Sequence, residues 1–487
     1  MRVRSPLAEL LSLALPTVMQ MTSYTLMQFI DTWMLARVGD LAATAAGGAG
    51  MFAWTLLSFG IGILFLVNTL ASQSFGRQDL PEAGRYLWQG IWLAVFYTPV
   101  VSGFTMLLPT AFGRMGHGPQ LLAAETAFLH IIILANPIKL IATSLGQFLV
   151  AVNRPNAVLI AAASGVCVNA ALGYVLVLGH FSVSSLGVRG AAIAQVCGVG
   201  VEMGVLALIA FLSSIRVSCR LDDCRLYARE LLVLLRVGIP SGVQLVTEML
   251  AWSLFQSWVI AGLGQTAMAA NVYVFRFMLL SFMPAIGMGS AVTALVGRNI
   301  GRGDPPAALR SAHLGFAITA VYMAACGVFF FIFRGRLMGI FTADPLVLRI
   351  GGTLLVYAAF YQLCDAMYCI YNGALRGAGD TTIPAIAMGA LCWFFNVAGG
   401  WTVARSHPEW GIHGPWSMAT LYGISIGLFL LIRFSRGRWK SIHLEAEAAS
   451  LAKAEEAGRP VRYLNDTTLR KEDIAREIAE RDGIKEG

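Results

Sequence analysis

Apolar residues fall in twelve long runs, separated by short stretches holding Gly, Pro, Asp and Arg. The runs lie at roughly 9–36, 46–74, 87–112, 122–152, 156–179, 188–212, 233–261, 266–297, 309–333, 347–374, 382–404 and 412–434. Each is about 20 to 30 residues long, which at 1.5 Å per residue carries an α-helix across a bilayer. The pattern predicts an all-α integral membrane protein with twelve transmembrane helices. Between the sixth and seventh runs stands SSIRVSCRLDDCRLYAREL, polar and charged, the natural connection between two halves. The reading divides the chain into a lobe at 1–212, a linker at 213–232, a second lobe at 233–434 and a charged tail at 435–487. LRKEDIAREIAER in the tail is predicted to form short surface helices.

The halves repeat one another. LLSLALPTVMQMTSYTLMQFIDTWMLARVGDLAATAAGG, from Leu10, returns in the second half as GIPSGVQLVTEMLAWSLFQSWVIAGLGQTAMAAN. Pro16 answers to Pro240, Gln20 to Gln244 and Gly39 to Gly264. FGRQDLPEA (75–83) matches IGRGDPPAA (300–308), and GVRGAA (187–192) matches GIHGPW (411–416). GQFLVAVNRPN (146–156) sits where NGALRGAGDTT (372–382) sits later. With six helices per half, both copies enter from the same side, so the axis relating them is normal to the membrane. MRVR before an apolar run has the look of a signal peptide, but that run is too long, carries Asp31 and recurs mid-chain. It is read as the first helix.

Composition agrees with a lipid-exposed surface: 57% of residues are hydrophobic and 13% charged, where soluble proteins carry about 25% charged. The net charge of +8 is distributed by topology and does not indicate nucleic acid. With the N-terminus in the cytoplasm, about 18 Lys and Arg fall in cytoplasmic connections against about 7 outside, which predicts both termini inside. The eight cysteines are scattered, and Cys219 and Cys224, which share a loop, fit no zinc spacing. No nucleophile–base set or phosphate loop stands out, so no enzyme is expected.

On the proline-plus-acid first helix with its VGDLAA turn, the GRQD and GRGD loops, the GALRGAGDT loop and the two G-x-x-G openings, residues 8–434 resemble the multidrug and toxic compound extrusion (MATE) family, its NorM-like branch in particular. The resemblance implies a V-shaped pair of six-helix lobes around a central cavity. It also implies export of organic cations or other toxic compounds against Na⁺ or H⁺, with no cofactor beyond that ion. Small, cationic substrates and membrane lipids are the expected partners, a monomer the expected unit, and a bacterial inner membrane the expected location. The rival readings are a lipid-linked glycan flippase of related fold, a metabolite antiporter and a major-facilitator carrier. The flippase would need a cationic cavity, whereas the intramembrane charges here are mostly acids.

Charged groups at bilayer depth are costly and mark function. Glu248, near the midplane of the seventh helix, and Asp365, at similar depth in the tenth, form a candidate cation or proton site; a structural carboxyl is the alternative for each. Tyr361, four residues before Asp365, shares its helical face. The resemblance assigns these acids to coupling-ion binding and matches Asp31 to the N-lobe acid. Asn169 is the candidate partner of Asp31, while Gly173 stands where some relatives carry a second acid. Asp31 then acts by protonation or pairs with Lys139, a lone lysine at the repeat position of Asp365; lining the wet cavity is the other reading for Lys139. Glu202 and Arg276 also interrupt apolar runs. Pro16 and Pro240 are candidate hinges or passive kinks.

Overall fold

The computed structural model describes residues 5–442 apart from 116 and 181–183. The tail helices expected near 469–481 lie outside the described residues. Twelve helical spans form the fold: α1 Pro6–Val38, α2 Leu41–Gly76, α3 Leu80–Arg114, α4 Pro119–Ile132 with Ala135–Ala151, α5 Pro155–Leu176 and α6 Val188–Leu212, then α7 Ala228–Leu263, α8 Gln265–Gly301, α9 Pro305–Gly339, α10 Pro345–Gly377, α11 Thr382–Ser406 and α12 His413–Ser435. Ten of these are long and apolar enough to cross a membrane, and α4 makes an eleventh when its two parts, bent by 46°, are taken together. α1 is long enough but more polar. Its Thr17, Gln20, Thr22, Tyr24, Thr25 and Asp31 dilute the apolar residues, which marks it as a helix facing protein or water over much of its length.

The repeated loops prove to be helix starts. Asp79 and Asp304 cap α3 and α9, their carboxylates accepting from the backbone N–H groups of Glu82 at 3.0 Å and Ala307 at 2.9 Å. Each cap satisfies an amide that the first helical turn leaves without a partner. Asp380 of the GAGDTT loop instead takes a two-pronged ion pair from Arg433 of α12, 2.8 Å at each contact.

The lobes meet along α1 against α8 and α2 against α7. The seam is pseudo-symmetric and built on glycine. A methyl group added at Gly287 would stand 2.7 Å from the Thr17 carbonyl oxygen, and one at Gly62 2.7 Å from that of Ser241. Thr17 and Ser241 each follow the repeat-related proline, Pro16 or Pro240. At the ends of α2 and α8, Gly76 and Gly301 cross still more closely, where an added methyl group would fall 2.2 Å from the Arg298 and 2.1 Å from the Gln73 carbonyl oxygen. Hydrogen bonds then tie the lobes: Thr17 Oγ1 to the Gly287 carbonyl at 2.9 Å, Thr69 Oγ1 to that of Arg376 at 2.9 Å, and Gln73 Nε2 to that of Gly377 at 3.0 Å. Arg298 adds an ion pair to Glu9 at 3.1 Å.

These ties all lie in the half of the molecule that carries the start of α1 and the end of α12, called here the terminus face. Among the described residues no hydrogen bond or ion pair joins the lobes in the opposite half.

The connection between lobes is strapped down. Leu221 is buried in the first lobe, and the indoles of Trp88 and Trp92 on α3 donate to the Leu221 and Cys224 carbonyls, both at 3.0 Å. α7 begins at Ala228, five residues before the apolar run, because Glu230 reaches Arg85 on α3 at 2.8 Å. The start of the expected tail is likewise structured. Trp439 is fully buried and stacks on Phe434 at 5.0 Å.

Candidate functional site

In the second lobe α7 and α10 bring two acids together. Tyr368 of α10 donates its hydroxyl to Glu248 Oε2 of α7 at 2.8 Å. Asp365, buried, stands three residues before Tyr368 and so on the same face of α10. The two carboxylates lie within range of one another's charge. Arg376, farther along α10, is within range of Glu248 as well; its guanidinium sits 5.2 Å over the Phe65 ring, and its Nε is buried without a hydrogen-bond partner.

Aromatic rings wall the acids. Trp252, one turn beyond Glu248, meets Phe255, Phe275, Tyr361 and Tyr422 edge-on, with centroids 5.5 to 6.4 Å away. Tyr361 packs its ring over Gly423, where an added methyl group would fall 2.5 Å from a ring carbon. It therefore enters the site as a wall, and the structure gives the hydrogen-bonding task to Tyr368. Beyond Trp252, α7 widens into a π-helical stretch, Phe255–Ile260, and α11 does the same at Trp393–Gly399. The two stretches pack together. Such insertions loosen a helix and cluster at functional sites.

The arrangement can exchange a cation or proton. Two carboxylates in a largely apolar, aromatic setting attract positive charge, and one tyrosine hydroxyl does not neutralise them. Among the described residues no three His, Cys, Asp or Glu side chains converge, so a metal ion here would take two carboxylates and neutral oxygens.

The first lobe differs at the matching positions. Lys139 of α4 pairs with Glu202 of α6 at 3.5 Å, and its ammonium stands 4.4 Å over the Tyr24 ring. Tyr24 donates to the other Glu202 oxygen and accepts from Gln20 Nε2 at 3.3 Å. The alternative in which Lys139 pairs with Asp31 is therefore corrected: α6 supplies a nearer carboxylate, and Tyr24 holds it in place. Asp31 faces Asn169 instead. Their contact closes no well-aligned hydrogen bond, and Asp31 Oδ1 and both Asn169 amide atoms are buried without partners. Met34 fills the space beside Gly173, where an added methyl group would fall 2.4 Å from its terminal carbon. Pro16 and Pro240 lie inside unbroken helices at the seam. Arg276 is exposed on α8.

Sequence reasoning passed over Tyr368, although it lies three residues from Asp365 on the same face. It also missed Glu125, which is buried in α4 and held by His117 at 2.9 Å.

The family described as MatE matches residues 16–175 and 240–402. A probable multidrug resistance protein NorM of Bradyrhizobium diazoefficiens is 30% identical over 445 residues, covering 88% of this chain and 92% of that protein. The multidrug resistance protein PmpM of Pseudomonas aeruginosa is 28% identical over 475 residues, covering 93% and 97%. Two solved structures share the fold: a eukaryotic MATE transporter (TM-score 0.79, 20% identity, 91% and 98% covered) and a multidrug resistance MATE family transporter in an outward-facing conformation (TM-score 0.81, 18% identity, 90% and 98% covered). The matched segments run from within α1 to the end of α5 and from within α7 to near the end of α11, both copies of the repeat, and the chain belongs to the MatE family.

Proposed function

We propose that the protein is a secondary active multidrug exporter, which antiports organic cations or other toxic compounds against Na⁺ or H⁺. The observation that carries this reading is the meeting of Glu248 and Asp365 beside Tyr368 in an aromatic pocket. The relatives named as multidrug resistance proteins support the same reading.

In this account a cation or proton occupies the acids while the lobes part away from the terminus face. The lobes then rock about the Pro16 and Pro240 segments of α1 and α7. Substrate entering from the other side displaces the ion, and the return step carries it out. Coupling follows because each ligand binds the two facing states with different affinity. We assign the terminus face to the cytoplasm on its arginines, among them Arg77, Arg85, Arg298, Arg302 and Arg376. The membrane is then a bacterial inner membrane and the working unit a monomer, divided at 1–212, 213–232 and 233–434. Asp31 with Asn169 is a second candidate ion site.

The test is dye efflux from cells expressing wild type, Glu248→Gln or Asp365→Asn at equal levels. Wild-type efflux that responds to an imposed Na⁺ or H⁺ gradient, and is lost in both variants, supports the reading and names the ion. Efflux that survives both substitutions removes it.

A further inference from the structure

In the second lobe a groove of about 610 Å³ lies between α9, α10 and the start of α12, lined wholly by residues of that lobe. Its mouth holds Arg334 and Arg349, with His413 beside them, and its wall runs down α10 through Val356 to Phe360. Arg334 stands five residues from the end of α9 and Arg349 four from the start of α10, so their Cα atoms lie about 6 to 8 Å inside the helix ends. Phe360 lies about 22 Å along α10 from its start and is 70% exposed. Basic groups thus sit at headgroup level and the apolar floor at hydrocarbon depth.

Neither arginine makes an ion pair with an acid among the described residues. Asp344, the acid between α9 and α10, is turned to capping: its carboxylate accepts from the Leu346 amide at 2.9 Å. The Arg334 guanidinium carbon lies 5.0 Å from the Phe331 ring centroid, and among the described residues its N–H groups donate to no protein acceptor, which leaves them for another. Tyr357 Oη and His413 Nδ1, 3.2 Å apart, close the groove on the α12 side. A groove with two donor-rich cations above and an apolar channel below matches a phosphate diester carrying acyl chains.

We propose that this groove binds one acidic glycerophospholipid from the leaflet opposite the terminus face. Its phosphate lies between Arg334 and Arg349, and one acyl chain runs over Val356 and Phe360. An exported organic cation does not fit the site, because the two guanidiniums repel it. The lipid would brace α10, the helix that carries Asp365 and Tyr368, against α9 and α12.

Thermal unfolding of the purified full-length protein in detergent, titrated with lipid, tests this. The proteins are wild type, the double variant Arg334→Gln/Arg349→Gln, and Arg336→Gln as a control at an exposed arginine outside the groove. Phosphatidylglycerol should stabilise wild type and the control saturably, and phosphatidylcholine of the same chains should not. The double variant should need about twenty-five-fold more phosphatidylglycerol, near fivefold for each arginine. Equal stabilisation by both lipids, or an unchanged midpoint in the double variant, overturns the proposal. So does saturation of the same effect by inorganic phosphate alone, which would make the site one for free anions.

Discussion

Lys139 Nζ lies 3.5 Å from Glu202 Oε2, and Lys139 occupies in the first lobe the repeat position that Asp365 holds in the second. Tyr24 likewise stands where the second lobe has Glu248, four residues after the repeat-related Gln20 and Gln244. One helical frame therefore carries two opposite electrostatic settings. The first lobe neutralises Glu202 with a cation tethered to its own chain. The second sets two acids against the single guanidinium of Arg376, which leaves negative charge for a cation from outside. This asymmetry is why the account assigns ion exchange to Glu248 and Asp365.

The tethered pair predicts a stability pattern. Glu202 has 6% of its side chain exposed and Lys139 has 20%, so removing one partner strands a largely buried charge. Lys139→Met should destabilise by about 2 to 3 kcal/mol. The double variant Lys139→Met/Glu202→Met should recover most of that loss. Thermal unfolding in detergent would show this, and equal losses for single and double variants would contradict it.

The glycine seam predicts a steric effect. Gly287→Ala and Gly62→Ala press a methyl group into the opposing backbone, and overpacking of this kind costs about 1 to 3 kcal/mol. Both should also hold the terminus face apart, raising the reactivity of a cysteine placed at Thr17 toward a water-soluble maleimide. Gly200→Ala, where the added methyl group meets open space, should be neutral or mildly stabilising.

Tyr368→Phe removes the hydroxyl that Glu248 accepts while keeping the ring. A hydrogen bond to a charged group contributes about 1.5 to 3 kcal/mol. Efflux should fall roughly tenfold or more at equal expression. Tyr361→Phe, which keeps the wall over Gly423 intact, should fall far less. Equal losses at the two tyrosines would contradict the roles assigned to them.

Arg433→Ala should destabilise the second lobe by about 3 kcal/mol, because Asp380 would be left 4% exposed without its two-pronged partner. Asp304→Ala, which removes an exposed helix cap, should cost about 1 kcal/mol. The order of the two melting temperatures checks the assignment of the repeated loops to structure.

Twelve helices and their repeat were legible because each rests on local patterns of apolar and charged residues. Helix ends were less so. α3 begins at Leu80, where the apolar run starts near 87, because the caps and polar turns beyond the hydrocarbon carry no hydropathy signal. Side-chain pairings across helices were least legible. That Lys139 would meet Glu202 and not Asp31 depends on how α4 and α6 rotate about their axes, which spacing along one helix does not specify. Tyr368 was within reach of the same-face rule applied forward from Asp365, where only the backward neighbour, Tyr361, was taken. The π-helical stretches of α7 and α11 have no sequence mark of comparable strength.

The central claim is that substrate and coupling ion compete for Glu248 and Asp365. Its most direct test is equilibrium binding of a fluorescent organic cation to purified protein, titrated over pH with and without Na⁺. Wild type should bind the dye more weakly as the coupling ion is raised, with a matching release of that ion on dye binding. Glu248→Gln/Asp365→Asn should lose both effects. Dye affinity that stays independent of pH and Na⁺ in wild type, or a dependence that persists in the double variant, would contradict the account.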